Sequence, residues 1–300
     1  MFLQQLINGL TLGSVYALIA LGYSMVYGIL ELINFAHGEI YMLGAYLGII
    51  FLGFFTASGL TAYSLPLALI LTFILSVIFC SSYGFTIEKI AYKPLRNAPR
   101  LSPLISAIGV SIFLQNYVML TQGATDKVFP NLFGTAGFQF SSVRMTYLQL
   151  FIILTSVIVM IGLRLFINKT KMGKAMRAVA QDKTMASLVG INIDTIISVT
   201  FIIGSGLAAI AGLMVAMYYG LVNYYIGYVA GMKAFTAAVL GGIGSIRGAM
   251  FGGILLGLIE SLGGSYISGE YKDAYAFIIL IIILLVKPGG LFRKAELEKV

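Results

Sequence analysis

Few residues in this chain are equipped for chemistry, and they fall in four places. The first is Glu31–Gly48 (ELINFAHGEIYMLGAYLG), where Glu31, Asn34, His37 and Glu39 interrupt two apolar runs. Polar groups inside a membrane persist only where they face protein or a water-filled cavity. A break lined by freed backbone groups suits a solute path. The plainer reading is a turn at the lipid headgroups, where such charges are harmless, and the residues alone leave both open. His37 is the only histidine, so a histidine-based metal site or catalytic triad has no support. A neutral turn histidine is favoured over a proton relay with Glu39.

The second place is Lys233–Gly257 (KAFTAAVLGGIGSIRGAMFGGILLG). Gly241, Gly242 and Gly244 permit backbone kinks. Gly248/Gly252 and Gly253/Gly257, like Gly9/Gly13 and Gly44/Gly48, have the small-xxx-small spacing of close helix contacts. Lys233 and Arg247 either face an aqueous vestibule or snorkel to an interface, and Glu260 is expected near an outer end. The third place is the pair Gln115 and Asn116 within Leu101–Thr121, where hydrogen bonding between helices is the expected job. No phosphate-binding glycine-lysine loop, zinc-protease motif or nucleophile elbow occurs, and no acidic pair lies within a span. The chain is expected to hold no catalytic residue, no metal and no cofactor. It moves something, and any nucleotide chemistry belongs to another polypeptide.

The fourth place is Asn168–Asp194 (NKTKMGKAMRAVAQDKTMASLVGINID), with five bases between Lys169 and Lys183 against Asp182 and Asp194. Met172, Ala175, Met176 and Val179, then Met185, Ala186, Leu188 and Val189, recur at helical spacing. Thr170 and Asp182 are placed as N-caps, and Gly190 as a stop. The pattern predicts two short amphipathic helices joined by a bend. A basic loop on anionic lipid heads and a docking element for a motor subunit are both compatible with this. The capping and the periodicity favour docking, since a lipid anchor needs only bases.

The elements that carry these residues are membrane helices. Of 300 residues, 59% are hydrophobic and only 10% charged, with mean hydropathy +0.98. That is the balance of an all-α, polytopic transmembrane bundle, not of a soluble globule. The net charge of +8 sits in short loops, so the membrane explains it better than nucleic acid does. The single cysteine, Cys80, lies in an apolar run and reads as a packing residue. The first apolar run begins by Leu3 with no basic segment before it, which argues against a cleaved signal peptide.

A crossing needs roughly 20 apolar residues. About eight apolar segments are expected: Leu6–Leu30, Glu39–Ala57, Leu65–Glu88, Leu101–Thr121, Thr146–Ile167, Thr195–Gly220, Ala274–Val286 and the broken stretch Val229–Gly263. Residues 1–300 are expected to form one transmembrane unit. Fourteen of the 19 bases cluster around Lys89–Arg100, Arg164–Lys183 and the tail from Lys287. The positive-inside rule places these in the cytosol, with Gln122–Met145 and the amino terminus outside. Parity then makes Val229–Gly263 begin and end outside, either as two tilted crossings or as a re-entrant hairpin. The two broken regions do not fall at matching places in the halves, so no internal repeat is expected.

The runs INFAHGEIYMLGAY, LISAIGVSIFLQN, MRAVAQDKTMASLVGIN and MKAFTAAVLGGIGSIRGAMFGG resemble the membrane subunits of branched-chain amino acid ABC importers. The similarity covers essentially the whole chain and is greatest to the first of two paired permeases. It implies a multi-pass protein of the bacterial inner membrane with a cytosolic carboxyl terminus, built into a complex. The implied partners are a second homologous permease, two cytosolic ATPases and a periplasmic binding protein that delivers leucine, isoleucine or valine. The ATPase-facing segment maps onto Gly173–Ile191, with Gly173, Met176, Arg177, Val179, Asp182, Met185, Leu188 and Gly190 as coupling residues. Asn34, His37, Glu39, Gln115, Asn116, Gly241, Gly242 and Gly244 are the candidates for the solute path. Among them Asn34, Gln115 and Asn116 are expected at the solute's zwitterionic end. Arg247 departs from the pattern, where an uncharged residue is expected. Similar permeases carry urea or short amides.

Overall fold

The computed structural model describes residues 1–292 apart from 97, 100, 135, 141 and 142. Arg100, Arg293, Lys294 and Lys299 of the basic clusters lie outside the described residues. Helices appear where the apolar runs predict them: α1 (Phe2–Leu30), α2 (His37–Ala57), the one-turn α3 (Leu60–Tyr63), α4 (Leu65–Ile87), α5 (Leu101–Gln122) and α6 (Tyr147–Lys169). They are followed by α7 (Lys171–Gln181), α8 (Lys183–Leu188), α9 (Ile193–Tyr219), α10 (Ile226–Gly241), α11 (Ile246–Tyr266) and α12 (Lys272–Val286). Among the described residues seven helices are long and apolar enough to cross a membrane, and α10 is a shorter apolar helix.

Two small antiparallel pairings mark one end of the bundle: β1 (Lys127–Val128) with β4 (Leu221–Val222), and β2 (Gly137–Phe140) with β3 (Val143–Thr146). The start of α1 lies there, since Gln4 Nε2 donates to the Arg144 carbonyl at 2.9 Å and Ser261 Oγ donates to the Gln5 carbonyl at 2.8 Å. Helices α7 and α8 occupy the opposite end.

Helix α1 is the axis of the molecule. It is buried almost continuously from Gly9 to Val26, and it is apolar or small on every side, as a helix surrounded by protein must be. Its glycines set the closest contact. A Cβ at Gly13 would come within 2.7 Å of the Ile254 Cα, and the backbone at Gly253 and Gly257 abuts Ala17 and Gly13. Gly44 lies against Ala209 in the same way, at 2.6 Å. The paired small residues act as predicted, as the places where backbones meet.

The expectation of no internal repeat is wrong. Helix α1 ends on Glu31 in the left-handed conformation (φ 59°), and α9 ends on Gly220 in the same conformation (φ 70°). Asn34 and Asn223 then stand in the same relation to the next helix: the carbonyl of each accepts the N–H of its first residue, His37 or Ile226. Gly38 and Gly227 are second in those helices. The packing repeats too, with α1 on α11 as α9 on α4, α2 on α9 as α10 on α1, and α2 on α5 as α10 on α12. Because α1 and α9 run in opposite directions, the halves are related as an inverted repeat, an arrangement of transporter folds. The residues that match around the two breaks, Leu32 with Leu221, Asn34 with Asn223 and Gly38 with Gly227, are too few to stand out in sequence.

Each repeat contains one helix that begins inside the bundle. The His37 ring packs on Gly22 of α1 and near Gly204 of α9. Gly22 lies about 12 Å of helix rise before Leu30, so residues 31–36 climb back from the end of α1 to the middle. Residues 221–225 make the mirror descent before α10. This settles the form of Val229–Gly263. Helix α10 runs from mid-depth to the α7–α8 end, where Gly244 lies beside Gly28, and α11 makes the full return. Arg247 is exposed in the first turn of α11 at that end, away from the middle of the bundle.

Candidate transport site and coupling surface

The short helices between α6 and α9 form as their caps dictate. Thr170 Oγ1 accepts from the Gly173 N–H at 3.0 Å, and Asp182 Oδ1 accepts from the Met185 N–H at 2.9 Å. Gly190 stops the pair at φ 84°. The eight residues expected at the coupling surface divide by face. Gly173 is pressed onto the Ile167 backbone, leaving no room for a Cβ, while Met176 and Val179 are buried. These three hold α7 to α1, α6 and α9 and are not free to meet another protein. Arg177, Asp182, Met185, Leu188 and Gly190 are exposed. Met185, Leu188 and Val189 present 62%, 75% and 76% of their surfaces, a concentration of apolar area at a polar end.

The break before α2 gathers three of the candidate path residues. Asn34 Oδ1 accepts from the Tyr92 hydroxyl at 2.7 Å, and its Nδ2 has no partner. His37 is buried with its ring edge-on to Tyr23, 4.7 Å between centroids. Glu39 is 1% exposed, and its Oε1 accepts from Ser111 Oγ at 3.0 Å. Gly38 touches the backbone of Gly227 and Gly231, so the first turns of α2 and α10 meet at mid-depth. A cavity of about 470 Å³ opens beside this meeting, and Gln115 lines it with Ser111 and Tyr23.

The remaining path candidates lie away from this cavity. Asn116 is exposed on α5 and donates to the Ile112 carbonyl of its own helix at 2.8 Å. Among the described residues it makes no bond between helices, and it does not line this cavity. Gly241, Gly242 and Gly244 lie at the α10–α11 turn, where Gly241 meets the Gly248 backbone and Gly242 meets Gly290. They pack closely at the α7–α8 end, away from this cavity.

Two charged clusters were not read from the sequence. Toward the hairpin end Lys233 Nζ lies 2.9 Å from Glu260 Oε1 and 2.6 Å from Asp273 Oδ1, while the Tyr16 hydroxyl donates to Glu260 Oε2 at 2.9 Å. At the other end Arg96 joins Glu88 to Asp194, Lys93 pairs with Asp194 at 2.7 Å, and Ser198 Oγ donates to Glu88 at 2.8 Å. Glu88 opens a π-helical turn, Glu88–Tyr92, that carries Tyr92 to Asn34. The signal in the sequence was opposite charges within apolar runs or at their ends. The partners were set by helix packing and could not be matched from spacing.

The sequence profile described as "Branched-chain amino acid transport system / permease component" matches residues 5–284. The chain belongs to this permease family. It is 51% identical over 303 residues to the high-affinity branched-chain amino acid transport system permease protein LivH of Salmonella typhimurium, covering 100% of this chain and 98% of that one. It is 50% identical to LivH of Escherichia coli K12 and 51% identical to BraD of Pseudomonas aeruginosa, with the same coverage. No solved structure matches significantly. In a branched-chain amino acid permease component, a polar break at mid-depth and a structured apolar knob at one end are candidates for different contacts, the first with solute and the second with partner subunits.

Proposed function

We propose that this chain is one permease subunit of an importer for leucine, isoleucine and valine in the bacterial inner membrane. Two separate cytosolic ATPases drive it, a periplasmic binding protein feeds it, and a second homologous permease completes the membrane part. The observation that carries the reading is the capped α7–α8 pair, with Met185, Leu188 and Val189 bared beside Arg177. The relatives named as branched-chain amino acid permeases support the solute. Lys89, Lys93, Arg164, Lys169, Lys171, Lys174 and Lys183 share the α7–α8 end, which makes it the cytosolic end by the positive-inside rule. Leu291 and Phe292, after α12, bond the backbone at Leu240 and Gly241 of that same end, which supports a cytosolic carboxyl terminus.

The chain acts as a gate worked from below. ATP binding draws the ATPases together, α7 and α8 move with them, and the buried face of α7 passes the motion to α1 and α9. Arg177→Glu and Leu188→Asp change exposed residues, so the fold is expected to stand while co-purification of the ATPases and ATP-driven uptake both fall. Unchanged association and uptake in both variants would falsify docking at this surface. Uptake by this chain alone in liposomes under an ion gradient, with no ATPase present, would favour a self-sufficient transporter. Competition of leucine uptake by urea or short amides, but not by valine, would reassign the solute.

A further inference from the structure

The groove between α5 and α10 carries more than a path. Its walls include Ile108, Ile112 and Met232, with Ser111 and Gln115 on α5 and Gly227 on α10. The Glu39 carboxylate lies behind this lining, with each oxygen against a lining residue. Oε1 holds the Ser111 hydroxyl, and Oε2 lies against Gly227, where no side chain fits between them. Oε2 is buried with no hydrogen-bond partner, and among the described residues no cation pairs with this carboxylate. A carboxylate at membrane depth is costly and is normally matched by a partner charge. The first turn of α2, in which Glu39 sits, and the adjoining first turn of α10 supply partial positive charge. They do not supply a cation.

We propose that the missing partner is the α-ammonium group of the solute. Glu39 with Ser111 holds that group at mid-membrane, Ile108, Ile112 and Met232 take an aliphatic side chain, and Gln115 supplies an N–H donor to the carboxylate. The chemistry selects a free α-amino acid with an apolar side chain. This rests on the importer reading above and adds the site to it. Gly227 covers Oε2 in the structure, and a small separation of α10 from α2 at their glycine contact uncovers it. The site is then a stopping point whose affinity depends on the state of the gate.

The test uses the whole complex in proteoliposomes, with this chain, its permease partner, both ATPases and the binding protein. Leucine uptake and ATP hydrolysis are measured together for the wild type, Glu39→Gln, Glu39→Asp and Ile112→Trp. The expected result for Glu39→Gln is a loss of leucine uptake of roughly thirtyfold or more, the scale for removing one partner of a buried charge pair. Co-purification of the ATPases and stimulation of ATP hydrolysis by loaded binding protein are expected to persist. Glu39→Asp is expected to retain more uptake than Glu39→Gln. Ile112→Trp, which fills the groove from an exposed position, is expected to lower uptake with the carboxylate intact. Wild-type leucine uptake in Glu39→Gln overturns the proposal. If that variant does not assemble, wild-type uptake in Ile112→Trp overturns it instead. The wild-type complex run alongside separates the two claims: uptake of no branched-chain amino acid at all would count against the importer reading, whereas uptake that ignores Glu39 and Ile112 counts against this site alone.

Discussion

Lys233 shows how far a residue's environment can depart from its sequence neighbourhood. It stands in an apolar, small-residue run, yet its ammonium meets Glu260 from α11 and Asp273 from the start of α12. Lys233 and Glu260 are buried, at 7% and 2% exposure, whereas Asp273 reaches the surface. Removing one member of a buried pair leaves the other without compensation, at a cost of about 3–5 kcal/mol, while replacing both by apolar residues is often neutral. Lys233→Met is therefore expected to lower the thermal melting point of the purified protein markedly. Lys233→Met with Glu260→Leu should recover most of the loss. A double variant no more stable than the single one would show that the Asp273 contact, not the buried pair, carries the effect. The lysine was visible in the sequence, but its partners were not. Three helices had to be packed before the charges met.

At the scale of elements, α7 and α8 were legible because their determinants are local. A cap, an apolar stripe and a terminal glycine all act within a few residues of one another. Loss of the cap oxygen in Thr170→Ala or Asp182→Ala is expected to destabilise its helix by about 1 kcal/mol. Hydrogen exchange should then accelerate in α7 or α8 and leave α1 and α9 unchanged. Acceleration throughout the bundle would mean that the pair is not a separable element. The faces of these helices were less legible. Periodicity placed Met176, Val179, Met185 and Leu188 in one apolar pattern, but two helices too short to bury both ends of it split the work. Helix α7 turns its apolar side inward under α1, whereas Met185 and Leu188 of α8 remain outside and only Ala186 turns in. Helices α2 and α10 were legible as broken regions and illegible in depth, because an apolar run reads the same whether it starts at the surface or at the middle.

For the whole molecule, the proposed sidedness has a direct check. Cys80 is the only cysteine and is fully buried, so a single cysteine introduced on an exposed position reports alone. Ser187→Cys on α8 is expected to react with a membrane-impermeant thiol reagent only in inside-out vesicles. Val128→Cys in β1, an exposed position, is expected to react only in right-side-out cells. Reaction of both from the same side would remove the cytosolic assignment of α7 and α8 and the gate worked through them. The inverted repeat gives the two sides similar machinery. The halves carry matching buried glutamates, Glu88 just after α4 and Glu260 in the corresponding α11, each bonded to a hydroxyl of the opposite half at Ser198 or Tyr16.

The sequence by itself determined the helices, most of their ends, the caps of α7 and α8 and the family, because apolar run length, capping residues and long motifs act along the chain. Only the tertiary structure decided that α2 and α10 begin at mid-depth, which oxygen of Glu39 lacks a partner, and which of the candidate polar residues share a cavity. Those facts depend on the depth to which one helix sinks against another. That depth is set by glycine contacts such as Gly22 with His37 and Gly38 with Gly227, between residues that no periodicity connects.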